Sequence, residues 1–112
     1  VNQDGGYTFT TPKLFVKKIN KLRKKIKLNK SQLFLGGDHL GPLPWKNNTN
    51  KTALKKSIKL INNFLNEKFD KIHIDTSIKC KNDQLINNEI IFDRTCKILN
   101  SPIIKKKLII SF

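Results

Sequence analysis

The chain has 112 residues, at most one domain, and its 23 Lys and Arg against 8 Asp and Glu give a formal charge of +15. That charge suggests nucleic acid, yet Arg23 and Arg94 are the only Arg among many Lys, Asn and Ile. A nucleic-acid surface favours Arg for bidentate contacts and exposed aromatics for stacking, so a solvated basic surface is expected instead.

In chain order, the opening NQDGGYT is a polar loop in which Tyr7 can close over a pocket mouth and the Gly5-Gly6 amides can meet a phosphate. Thr11-Pro12 signals a helix start, and Phe15, Ile19, Leu22 and Ile26 follow at helical spacing, predicting a helix over 12–28. Leu33-Phe34-Leu35, ended by Gly36-Gly37, reads as a buried strand over 33–36. A second helix is predicted over 50–66, with Leu54, Ser57, Ile58, Ile61 and Leu65 on its buried face. Residues 71–75, KIHID, form the next predicted strand. Asp83 is the expected cap of a third helix over 84–99, with Ile91, Cys96, Ile98 and Leu99 inward and Ser101-Pro102 ending it. A last strand is expected over 107–111.

Strands centred near 34, 73 and 109 with one helix in each interval predict βαβ units and a parallel sheet. Three strands leave two edges uncovered, so the expected fold is α/β, roughly the first half of a (β/α)₈ barrel, residues 1–112 being a fragment of that one domain. The absence of Met and the start at Val1 within a strand–loop pattern fit the same expectation. An open doubly wound sheet is the rival, but no GxGxxG or P-loop follows a strand. No apolar run approaches the ~20 residues of a membrane span, and no signal peptide is recognisable. Cys80 and Cys96 lack CxxC spacing, so a reduced cytoplasmic protein with no membrane partner is expected, Cys80 as a loop thiol and Cys96 as a small buried residue.

Barrels carry their chemistry at the C-terminal strand ends, where this pattern places NQDGGYT, GGDHLGP and HIDTSIKC. Asp38 can serve as a general acid or base and His39 as a metal ligand; equally, Asp38 can cap the following turn and His39 can be a hydrogen-bonded wall residue. Asp75 and Ser77 can share one side of the strand end, or act as turn and cap. His73, flanked by Ile72 and Ile74, reads as a satisfied core histidine. No third metal ligand is visible, so the chain is not expected to hold a metal by itself.

Taken together, NQDGGYT, LGGDHLGP followed by Trp45, and KIHIDTSIKC resemble, in order and spacing from Val1 to about Ser111, the non-catalytic (Z-type) subunit of class II D-tagatose-1,6-bisphosphate aldolase, in older naming the tagatose 6-phosphate kinase family. The resemblance implies an accessory subunit that supports the activity and stability of a separate catalytic aldolase subunit in galactitol- and N-acetylgalactosamine-type catabolism. It aligns Asp38 and His39 with the acid/base Asp and zinc-ligating His of the related catalytic enzymes, and Asp75 and Ser77 with their Ile-Asp-x-Ser segment. Zinc and a sugar phosphate come with that resemblance, and Asn2 and Gln3, polar groups at the same strand-end level, are the candidate substrate-binding residues. A kinase finds no support, for there is no Walker lysine loop and no kinase Gly-rich loop. Two alternatives remain: a metal-dependent sugar-phosphate lyase or epimerase in its own right, and a basic nucleic-acid-binding module.

Overall fold

The computed structural model describes residues 1–108 as an α/β arrangement with a parallel two-stranded sheet. The elements are α1 (Pro12–Lys25), β1 (Gly36–Leu40), α2 (Asn50–Asn66), β2 (Lys71–Ile74), α3 (Asn88–Asn100) and the short α4 (Pro102–Lys105). The strand expected over 107–111 falls mainly on residues outside those described. No helix among the described residues is long and apolar enough to cross a membrane.

Each long helix begins where its cap chemistry dictates. Thr11 accepts from the Leu14 amide with Pro12 at the first position of α1, and Thr49 accepts from the Thr52 amide at the start of α2. The first helix stops at Lys25, short of the expected residue 28, because Lys27 takes a left-handed conformation with φ 59°. Its lower stripe is open: Leu22 and Ile26 are exposed, while Phe15 and Val16 pack on the core.

The bounds of α2 match expectation, but its face is rotated by about one position. Ala53, Ser57, Leu60, Ile61 and Phe64 are buried, and Leu54, Ile58 and Leu65 flank them. Ser57 sits at the centre without an unpaired hydroxyl, since its Oγ donates to Ala53 O at 2.7 Å. Phe64, Phe69 and Phe15 continue the core towards α1, with ring centroids 4.5 Å and 6.2 Å apart in successive pairs.

Two expectations are corrected. The first strand is Gly36–Leu40 and not 33–36: Phe34 is 72% exposed, and Leu35 only anchors the approach, its carbonyl accepting from Asp70 and Lys71 amides. The strand starts at the glycines because α2 crosses there so closely that a Cβ on Gly37 would lie 2.7 Å from Phe64. The third helix starts at Asn88 and not 84, capped by Asn87, whose Oδ1 accepts from the Ile90 amide at 2.9 Å. Asp83 is not its cap. It lies in a buried ion pair with Arg94 of α3 at 2.5 Å and also accepts from Asn50 Nδ2 and the Cys80 amide, both at 2.8 Å. That cluster ties the loop after β2 to the start of α2 and the middle of α3. Cys80 lies in the loop after β2, as expected, but is buried, which pushes its thiol up, while Cys96 on α3 is half-buried where a buried residue was expected.

Candidate functional site

β1 and β2 run parallel, with Gly36 opposite Lys71, Gly37 opposite Ile72, and Leu40 opposite Ile74. From Gly37 to Leu40 is three steps on β1 against two on β2, so β1 carries one extra residue, a bulge. His39 absorbs it with φ 51°. A regular strand would turn Asp38 and His39 to opposite faces. Here Gly37 and Leu40 are buried, and Asp38 and His39 are both exposed on the face away from the helices. On β2, Ile72 and Ile74 face the core and His73 joins that exposed face.

The result is a crossed set of pairs between the strands. His73 Nδ1 lies 2.7 Å from Asp38 Oδ1, and His39 Nδ1 lies 3.1 Å from Asp75 Oδ2. The rings meet edge to face, centroids 4.8 Å apart. A carboxylate only accepts, so in each of these pairs the imidazole Nδ1 is the donor. Asp75 is fixed in turn by Ser77, whose hydroxyl and amide donate to Oδ1 at 2.6 and 3.0 Å. These two bonds, then His39, hold the Asp75 carboxyl down to about 2. The hydrogen bond from His73 lowers Asp38, and Asp75 followed by Asp38 raises His39.

The backbone keeps the two strand ends together. Asp75 N donates to Leu40 O at 3.0 Å, and a Cβ on Gly41 would lie 1.7 Å from Asp75 O, so only glycine fits.

Four of the candidates named from the sequence, Asp38, His39, Asp75 and Ser77, are therefore brought together. Asn2 borders the same place: with Asp4, Tyr7, Leu43, Trp45 and others it lines an open groove of about 510 Å³ beside Asp38 and His39. The wall of this groove is braced by Trp45, whose indole donates to Asp4 Oδ2 at 2.8 Å, and by Lys56 4.0 Å from the same oxygen. Gln3 is not brought in; its Nε2 donates to Lys56 O on α2. His73 is the member that the sequence reading misplaced, since it bonds Asp38 on the exposed face and is no core histidine. Asp38 likewise does not cap the turn that follows it. The signal for both was the pair of strand ends themselves, each bearing a His one or two residues from an Asp.

Asp38, His39 and His73 each offer a metal-ligand atom within 4.8 Å of the others'. The donors are one carboxylate and two imidazoles, a set that fits zinc and similar ions.

A family model described as D-tagatose-1,6-bisphosphate aldolase subunit GatZ/KbaZ-like matches residues 1–105. The D-tagatose-1,6-bisphosphate aldolase subunits GatZ of Escherichia coli strain K12 and of strain 536 are each 38% identical over 85 residues, 76% of this chain. The chain spans about a fifth of those relatives, 20% of each. A crystal structure titled as a probable tagatose 6 phosphate kinase from Sinorhizobium meliloti 1021 superposes with a TM-score of 0.86 at 30% identity, covering 96% of this chain and 27% of that one.

Proposed function

Because the chain belongs to the GatZ/KbaZ-like family of D-tagatose-1,6-bisphosphate aldolase subunits, we propose that it serves as the accessory subunit supporting a catalytic class II aldolase partner in sugar catabolism. The observation that carries this reading is the family match over residues 1–105, which takes in both strands and every loop around the bulge. Residues 1–112 then belong to one (β/α)₈ barrel. The parallel β1–β2 pair, the α2 crossover and the likeness to the Sinorhizobium meliloti structure over 96% of the chain support that architecture.

In that architecture the exposed face of β1 and β2 is the barrel interior, and Asp38, His39, Asp75 and Ser77 stand at its C-terminal end, with Asn2 in the bordering loop. The groove's hydrogen-bonding side chains, with Lys56 beside its Trp45 wall, support a sugar-phosphate ligand. The test is to combine the chain with a catalytic class II subunit and follow cleavage of tagatose 1,6-bisphosphate and the lifetime of that activity on warming. The expected result is a longer-lived, faster activity in the presence of the chain. An unchanged rate and lifetime, with no co-elution of the two chains, overturns the reading.

A further inference from the structure

We propose that the groove between α2 and α3 is the surface through which this chain meets its catalytic partner, the occupant being an acidic segment of that partner that carries a large apolar side chain. The inference rests on the accessory-subunit reading and adds to it the place and the chemistry of the contact.

Shape supplies the first argument. Leu54 and Ile58 of α2 and Ile90 of α3, all half-buried, floor an open groove of about 530 Å³ between the two helices. None of these residues lines the groove beside Asp38 and His39, so a chain seated here leaves that site open. An apolar trough between two helices is a common seat for one face of a helix or extended segment.

Charge is the second argument. The acids of the groove are already engaged. Asp83 is paired with Arg94 and accepts from Asn50, and Asp93 lies 3.0 Å from Lys97. Lys51 and Lys55 are exposed on the α2 side, and among the described residues neither has an ion-pair partner. Exposed Lys59 continues their row by one turn, and α2 contains no Asp or Glu. At about 1.5 Å per residue the three positions span about 12 Å along one ridge. A row of ammonium groups above an apolar floor is complementary to a segment whose carboxylates recur at the same interval beside a Leu- or Phe-sized anchor.

The third argument separates a protein from nucleic acid as the occupant. The groove's one guanidinium, that of Arg94, is held by Asp83 and by the Ile78 carbonyl, so no planar fork is free for a phosphate. No aromatic side chain lines the groove for base stacking. Lysine point charges beside aliphatic side chains fit the carboxylates of a folded partner better.

The experiment measures the affinity of the chain for a catalytic class II aldolase subunit between about 0.05 and 0.5 M salt, together with amide hydrogen exchange of the free and bound chain. We expect binding that weakens with salt and exchange that slows within residues 50–58 and 90–97. Lys51→Glu combined with Lys55→Glu should weaken binding at least about 10-fold, while Lys51→Arg combined with Lys55→Arg should leave it within about 2-fold. Lys17→Glu combined with Lys21→Glu makes the same change of net charge on exposed positions of α1 and should weaken binding less than about 3-fold. Far-ultraviolet circular dichroism reports whether each variant folds. Failure of the wild-type chain to bind the subunit overturns the accessory reading and the docking surface with it. Binding that survives the groove reversal, falls equally with both reversals, or protects other segments overturns the groove assignment alone and leaves the accessory reading standing. Tighter binding of a DNA duplex than of the subunit, lost in the groove reversal, overturns the acidic protein as occupant.

Discussion

At Gly41 the chain has room for a hydrogen atom and nothing larger, because Asp75 O occupies the place of a Cβ. Gly41→Ala must separate the two strand ends or break the Asp75 N to Leu40 O bond. The expected cost is about 3 kcal/mol or more, read as a lowered urea midpoint, with loss of the His39–Asp75 contact. His39 behaves in the opposite way. In His39→Gly the left-handed conformation is relaxed while only exposed hydrogen bonds are lost, so stability should hold or rise by up to about 1 kcal/mol. The paired urea curves of these two neighbours check whether the bulge is held by backbone fit or by its side chains.

Among the elements, the Asp83–Arg94 pair makes a titration prediction. Burial pushes Asp83 up, but Arg94, Asn50 and the Cys80 amide outweigh it and bring the carboxyl to about 2, below its ordinary 3.8. A folded-state value below the unfolded one means stability that is complete above about pH 4 and lost as pH falls through about 2. Urea midpoints across that window should drop in the wild type and flatten in Asp83→Asn. Arg94→Met should cost about 3 kcal/mol near neutral pH, because it leaves a buried carboxylate alone. This pair also shows where sequence reading ends. The limits of α2 were legible because a 3.6-residue apolar stripe is a local signal, as the Thr11-Pro12 cap is for α1. Asp83 carried the same local signal as a cap, and only tertiary packing, with Arg94 eleven residues on, assigns it elsewhere. Gly36-Gly37 looked like a strand end because glycine weakens strands, yet the close crossing of Phe64 calls for a residue without a side chain. Of the site, Asp38, His39, Asp75 and Ser77 could be placed from their strand-end positions. The bulge, and with it His73, could not, since register is a property of two strands and neither sequence alone contains it.

The whole molecule is a slab of 51 × 33 × 21 Å with a radius of gyration of 15.3 Å, wider than the roughly 13 Å of a spherical domain of this length. Tyr7 and Phe9 are almost fully exposed, and Phe34 and Phe92 largely so. Apolar area of that extent favours self-association, which the +15 charge opposes. Sedimentation should therefore show a shift from monomer to larger species as salt rises from about 0.05 to 0.5 M, with ANS fluorescence present at low salt. A monomer at all salt concentrations and no ANS binding would show that these faces do not associate. The crossed pairs between β1 and β2 have a kinetic consequence. His73 and Asp38 stand 35 residues apart in the chain, and His39 and Asp75 stand 36 apart. With α2 spanning the interval, the helix can form from local contacts within microseconds, whereas strand alignment must first close that long loop. The histidine pair is thus among the last contacts to assemble during refolding. Its imidazole resonances would time the final step of the chain's folding, well after the helical signal has reached its plateau.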